Sequence, residues 1–250
     1  MVSPYNDYAN STTKKTSTTI EATNKITGNT TRVDYKAGNS ITLNADFKVD
    51  NGVVFKAQIE GCVVDTPWQN STVGSVSGSM SINNGILTID GTDNVGGVAD
   101  NFQFYNKTFS GDVTVIARII NITAIDAMRG GIMLRSNTNQ DSKMYEFILD
   151  GNANTGKLKR RNAGGNVDFV GYAPMPTSNN WLKMIKINNT ITCFVSSDGS
   201  TWNELVGWDT HADNDLGTSF LVGFVGYNSE NTQNCVISFD NMSVNGVPLY

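Results

Sequence analysis

The sequence predicts an all-β protein: a two-sheet sandwich preceded by a small β-solenoid or meander. Three observations predict it. Apolar residues alternate with polar ones in short runs, and no stretch after Met80 carries a helical apolar period. Gly or Asn recurs between the runs, where turns are needed. Charged residues make up only 16% of the 250-residue chain, while 24 glycines and abundant Asn, Thr and Ser fill the difference. That balance suits strands and turns, and is expected of secreted proteins.

Residues 1–19 are rich in Ser, Thr and Asn without periodicity, and read as a loose leader. In residues 20–62, apolar positions recur every six to eight residues: Ile20, Ile26, Val33 and Tyr35, Ile41 and Leu43, Phe47 and Val49, Val54 and Phe55, and Ile59. Such spacing fits a solenoid whose levels are one short strand and one turn. Residues 63–79, with Pro67 and small polar residues, read as a linker. Residues 80–247 form the sandwich. "SMSINNGILTIDG" is a hairpin around Asn83-Asn84-Gly85. "NFQFYNKTFSGDVTVIARI" gives two strands around a Ser-Gly-Asp turn, and "GGIMLRSNTNQDSKMYEFILDGNANTGKLKRRN" gives three. "WLKMIKINNTITCFVSSDGSTWNEL" turns at Asn188-Asn189 and Asp198-Gly199; "SFLVGFVGYN" and "NCVISFDNMSV" complete the set.

The net charge of −5, the pI near 4.8 and the lack of a basic run beyond "KLKRR" argue against nucleic acid as a partner. No apolar run reaches membrane-spanning length, so no membrane insertion is expected. The opening "MVSPYNDYANSTTKK" lacks the apolar core of an export signal, and its Met reads as an added start. Of three cysteines, Cys193 and Cys235 lie in strand-like runs with apolar neighbours two residues away, so both point into a core, as free thiols or as a bridged pair. Cys62 is left over. Asn-x-Ser/Thr sites such as Asn70 and Asn188 are expected by chance in so Asn- and Thr-rich a chain.

Two resemblances rest on particular residues. "VDYKAGNSITLNADFKVDNGVVFKAQIEGC", residues 33–62, resembles a short β segment of secreted surface proteins of Bacteroidetes, often polysaccharide-active ones. Over nearly all of 80–244, five blocks in order resemble the concanavalin A-like jelly-roll accessory domains of bacteria. These are the aromatic strand before "SGD" and "ARI", "GGIMLRS", "WLKMIKINNTITCFVSSDGSTW", "FLVGFVGYN" and "ISFDN". Such domains are often appended to secreted glycoside hydrolases, and many are thought to bind sugar. The chain departs from the pattern in carrying two Cys at core positions where small or aromatic residues are commoner. The resemblance implies a non-catalytic, monomeric carbohydrate-binding module of a larger secreted or cell-surface protein, its partner a polysaccharide. The alternative is a ligand-free spacer that positions a catalytic neighbour.

The residues for glycosidase chemistry are missing. Only five Glu occur, and the best pair, Glu146 and Asp150, is four residues apart on one predicted strand. That is roughly 13 Å, beyond the span of about 5–9.5 Å that paired carboxylates need. His211 is the single histidine, in the polar loop "GWDTHADNDLG", and no Gly-x-Ser-x-Gly elbow is present. His211 reads as a surface residue or a sugar contact. "DGNANTG" fails the EF-hand pattern and reads as a hairpin turn. Asp90, Asp93 and Asp240 could share a structural Ca²⁺, as in related sandwiches.

Two arginines inside apolar runs raise a question of their own. Arg118 precedes a loop and reads as structural. For Arg135, a turn near Asn139-Gln140 would make Tyr145 its cross-strand neighbour, with Arg160 or Arg161 beside them. An exposed Arg–Tyr–Arg platform could take a pyranose face on Tyr145 and donate paired hydrogen bonds from arginine. The competing reading pairs Arg135 with a carboxylate such as Glu146 or Asp126. Tyr105, Trp208 and His211 are further candidates for sugar contact. Trp181 and Trp202 read as core, and Trp68 and Trp208 as loop residues, either packing lids or platforms.

Overall fold

The computed structural model describes residues 9–16, 19–38, 40–59, 67–91, 95–97, 99–122, 128–150, 155–161, 165, 167–174, 180–205, 216–228 and 235–250. Every regular element among them is a β-strand. The chain divides into two compact units, Met1–Thr66 and Pro67–Tyr250.

In the first unit, each strand pairs in parallel with the strand three elements on. β1 (Thr12–Thr16) pairs with β4 (Arg32–Ala37), and β4 with β7 (Val54–Ile59). β2 (Thr19–Ala22) pairs with β5 (Ser40–Leu43), and β3 (Lys25–Ile26) with β6 (Lys48–Val49). Alternation decides which side chains go inside: Val33, Tyr35 and Ala37 of β4 are buried, whereas Arg32 is exposed. With Ile20, Ala22 and Ile26 they form this unit's own core, against which Ile41, Phe47, Val53 and Phe55 pack. Tyr35 donates a 2.8 Å hydrogen bond to Asn24 inside it. The expected loose leader is corrected here: Thr12–Thr16 is a strand paired along its whole length. Its polar side chains hid it, because burial in the first level of a stack is only partial.

The second unit packs two antiparallel sheets face to face. Seven strands lie in the order β16-β15-β14-β13-β20-β11-β8. They are β8 (Gln69–Val73), β11 (Phe102–Ser110), β13 (Met128–Arg135), β14 (Met144–Asp150), β15 (Thr155–Arg161), β16 (Val167–Pro174) and β20 (Ser219–Asn228). The facing sheet has eight, ordered β19-β18-β17-β12-β21-β10-β9, with β22 (Val247–Pro248) on β21. Here β9 is Gly78–Asn83, β10 Ile86–Gly91, β12 Val113–Ile122, β17 Asn180–Ile187, β18 Thr190–Ser196, β19 Asn203–Glu204 and β21 Cys235–Val244.

The expected hairpin turns are in place. Asn84 and Gly85, at φ 50° and 77°, connect β9 to β10, and Asn188 at φ 53° connects β17 to β18. Asn tolerates this left-handed region better than other residues with a Cβ, and such turns match the strand twist. Glycine matters most at Gly130 and Gly226, which face each other across β13 and β20. A Cβ on either would fall within 2.2 Å of Ile237 on the opposite sheet, so their absence lets the two layers approach.

The linker expected over 63–79 is also corrected. Gln69–Val73 is an edge strand of the seven-stranded sheet, and β9 begins at Gly78. Trp68 stacks on Tyr105 at 5.3 Å and on Phe224 at 5.8 Å, so it belongs to the sandwich core. Pro67 and the polar "QNST" disguised a strand whose anchor is the aromatic residue beside it.

Between the sheets lies the main core, which includes Ile132, Leu134, Tyr145, Phe147, Phe224, Ile237 and Phe239. A second apolar cluster covers the other face of the seven-stranded sheet: Val73, Val95, Phe102, Phe104, Met133, Met144, Ile148, Val225 and Tyr227. This sheet is therefore buried on both faces over its centre. Cys193 and Cys235 are buried free thiols, resolving the two readings against a bridge. Burial pushes the Cys193 thiol well above its ordinary value, and the Cys235 thiol up to about 12.

Two outcomes are expected. Trp68→Ala should lower the unfolding free energy of the sandwich by roughly 3 kcal/mol, read by denaturant titration. In the native protein at pH 8, Cys193 and Cys235 should resist iodoacetamide and become alkylated only after unfolding, as peptide masses would show.

Candidate functional site

The strand register answers the question raised by Arg135. The β13–β14 connection pairs Ser136 with Lys143 through a 3.0 Å backbone hydrogen bond, and the strands align Arg135 with Met144 and Leu134 with Tyr145. The register differs by one residue from the expected one, and one residue reverses the face. Tyr145 therefore points into the main core and is fully buried. Arg160 lies opposite Tyr145, whereas Arg161 lies opposite Met144 on the Arg135 face. The expected Arg–Tyr–Arg platform is not formed, and neither Arg135 nor Arg161 is exposed.

Both arginines instead bind Asp100, itself fully buried. Arg135 donates to Asp100 Oδ2 at 2.9 Å, and Arg161 donates to the same oxygen at 2.6 Å. Arg161 also donates to Oδ1, so one carboxylate bridges two guanidinium groups. Their remaining donors go to backbone carbonyls: Arg135 to Asn137 and Asn139, Arg161 to Gly97 and Gln140. Arg135 also sits over the Phe102 ring at 5.1 Å. The ion-pair reading of Arg135 holds, with Asp100 as the carboxylate in place of Glu146 or Asp126. Asp126 lies outside the described residues.

The other expected positions separate. Tyr105 is buried, stacked against Trp68, with its hydroxyl hydrogen-bonded to that of Tyr250. Trp208, His211 and Asp93 lie outside the described residues. Arg118 is structural: it chelates Asp240 through Nε at 2.7 Å and through Nη2, and these hydrogen bonds hold Asp240 below the usual carboxylate range. Asp90 aligns with Val236 on β21, four residues before Asp240, so the two carboxylates stand about 13 Å apart along the strand. Asp240, already chelated, and Asp90 do not converge, and no group of three metal-ligating side chains gathers among the described residues. Trp181 and Trp202, expected in the core, are only half-buried. Lys183 lies over the Trp202 ring at 4.2 Å, and Arg118 over that of Trp181 at 5.5 Å.

The Arg135 face carries a second ionic group that sequence reading missed. Alternation places Arg129 of β13, Glu146 and Asp150 of β14, and Lys157 and Lys159 of β15 on this face. Tyr227 of β20 aligns with Arg129. Lys159 donates to the Tyr227 hydroxyl at 2.7 Å, and that hydroxyl donates to Glu146 Oε2 at 3.0 Å. Lys159 Nζ lies 3.3 Å from the same oxygen. The other oxygen, Glu146 Oε1, is buried without a hydrogen bond among the described residues. Lys157 donates to Asp150 Oδ2 at 2.6 Å, and Arg129 Nε stands 3.6 Å from that oxygen, too far for a hydrogen bond. Exposure grades along the group: Glu146 and Lys159 are almost fully buried, whereas the Arg129 and Lys157 side chains are 21% and 25% exposed.

Burial pushes the Lys159 ammonium below its ordinary value, opposed by Glu146 and helped by the positive charge of Arg129. The Tyr227 hydroxyl is pushed well up by burial and by Glu146. Three cations, two carboxylates and a phenol thus crowd one end of a sheet face whose centre is apolar.

A groove of about 590 Å³ opens elsewhere on this unit, lined by Gly111, Asp112, Lys186, Asn188, Asn189 and Thr218 among others. No aromatic residue lines it among the described residues. Its Lys186 is buried and already donates to the Asn188 carbonyl at 2.5 Å.

The comparisons establish the fold alone. A functionally unknown protein from Saccharomyces cerevisiae matches 71% of this chain over 96% of its own, at 18% identity and a TM-score of 0.51. The GH43 BlXynB protein from Bacillus licheniformis matches 66% of this chain with 34% of its own, at 15% identity and a TM-score of 0.52. The carbohydrate-binding module CBM66 from Bacillus subtilis matches 72% of this chain at 14% identity and a TM-score of 0.49. No family model matches the chain, and no curated protein does. The sandwich is therefore an all-β fold that also occurs within the GH43 BlXynB protein.

Asp100→Ala should cost about 3–5 kcal/mol of stability, because it strands two buried guanidinium groups. Urea titration would measure it. A triple replacement of Asp100, Arg135 and Arg161 by apolar residues should recover most of the loss.

Proposed function

We propose that this protein is a non-catalytic carbohydrate-binding module of a secreted or cell-surface bacterial protein. In this reading the sandwich is a concanavalin A-like jelly roll, the unit before it a small β-solenoid, and the ligand a polysaccharide. The observation that carries it is the ionic group of Arg129, Glu146, Asp150, Lys159 and Tyr227 at one end of the seven-stranded sheet. Ion pairs taken out of water seldom stabilise a fold better than apolar side chains would. A face that keeps several of them, with Glu146 Oε1 unsatisfied, fits a role in ligand recognition. Sugar hydroxyls both donate and accept, so one hydroxyl can serve a carboxylate and a guanidinium together.

The absence of catalysis is argued from geometry. Glu146 and Asp150 share a strand at about 13 Å spacing, and each is engaged by a lysine. Hydrolysis needs one carboxylic acid and one carboxylate about 5–9.5 Å apart across the scissile bond. A shared fold with part of a GH43 protein is compatible with an accessory role and adds no catalytic residue.

Retention on gels containing different polysaccharides tests the reading. Binding should be weak, with Kd on the order of 10 µM to 1 mM, without release of reducing sugar. Arg129→Ala should abolish the retention while moving the melting temperature by no more than a few degrees. Retention unaffected by that variant would place the ligand elsewhere.

A further inference from the structure

Resting on the sugar-binding reading, we infer that the glycan is acidic: Arg129 is placed to hold a carboxylate or sulfate ester on the sugar. The case begins with the pairing. Asp150 Oδ2 is taken by Lys157 at 2.6 Å, and Glu146 Oε2 by Lys159 and Tyr227. Each carboxylate in the group has its own lysine. Arg129 is the cation in excess: its Nε is 3.6 Å from Asp150 and makes no hydrogen bond among the described residues.

Arginine cannot shed its charge by deprotonation, so an under-paired guanidinium within a partly buried cluster looks outward for an anion. Arg129 is 21% exposed at its side chain, enough for one planar group to reach it from solvent. Lys157, 25% exposed, adds a second positive charge beside the same Asp150 carboxylate. Among the described residues, this group's three cations over two carboxylates contrast with the net charge of −5 of the whole chain. An acidic polymer repelled by the protein at large would therefore be drawn to this end of the sheet. A carboxylate presents two coplanar oxygens, and a sulfate ester two of its three terminal oxygens, that a guanidinium matches with paired hydrogen bonds.

Affinity electrophoresis of the full chain separates the possibilities. The gels would hold polygalacturonate, alginate, a sulfated galactan, neutral xylan or neutral mannan. Retention is expected on the acidic gels and should fall at least tenfold between 20 mM and 500 mM NaCl. Retention by uronate polymers alone identifies the carboxylate, and by the galactan alone the sulfate ester. Arg129→Gln should weaken binding at least tenfold, whereas Arg129→Lys should keep part of it; thermal melting confirms that both variants fold. Should Arg129→Gln unfold the domain, Lys157→Gln takes its place and should weaken acidic retention several-fold. Retention on neutral gels alone overturns the acidic ligand and leaves sugar binding standing. Retention on no gel overturns both, and acidic retention indifferent to the Arg129 and Lys157 variants overturns this placement.

Discussion

Asp100 is the residue on which the face of the seven-stranded sheet depends. One buried carboxylate neutralises Arg135 and Arg161, whose strands β13 and β15 are not neighbours but flank β14. The same contact ties the segment before β11 to the β13–β14 connection, since Asp100 and Gln140 also exchange backbone and side-chain hydrogen bonds. Three pieces of chain are thereby fixed in relation to one another: the approach to Phe102, the loop at 136–143, and the end of β15. An ion pair of this kind contributes little net stability compared with apolar packing, but it penalises every arrangement that leaves a charge stranded.

The apolar cluster on that face follows from the clasp. Val95 and Phe102, on either side of Asp100, pack with Met133, Met144 and Ile148. A sheet with only one core would show polar residues on its other face. This sheet shows apolar ones at its centre, because a segment crosses and covers them. Polar groups flank that apolar centre: Arg135 and Arg161 on Asp100 at one end, and Glu146, Lys159, Asp150, Lys157 and Arg129 at the other. The candidate site lies at the end of this face away from Asp100, where the Arg129 and Lys157 side chains are partly exposed.

The sheet also explains why carboxylates on this fold need not signify hydrolysis. Residues four apart on one strand share a face yet stand too far apart to act on one bond. Each acid here is drawn toward a cross-strand lysine, Glu146 to Lys159 and Asp150 to Lys157. Cross-strand pairing organises them into ion pairs on one face of the sheet.

Much of this architecture is determined by the sequence alone. Period-two alternation in "GGIMLRS" and "MYEFILD" settles that these are strands, and that Ile132 and Leu134 oppose Met133 and Arg135. Asn-Gly and Asn-Asn settle where hairpins turn, because few other residues accept the left-handed conformation there. The absence of any helical period settles the class. What it does not determine is register and distant partnership. Whether Arg135 meets Met144 or Tyr145 depends on the path of the 136–143 loop, and a shift of one residue moves the Tyr145 ring from a candidate platform into the core. Asp100 lies 35 residues from Arg135 and 61 from Arg161, and nothing local to "ADNFQF" marks it as their counter-ion. Tyr227 and Glu146 are likewise 81 residues apart. Strand character is a local property of side-chain alternation, whereas the cost of burying a charge depends on which other charge the folded chain places beside it, and only the tertiary structure decides that.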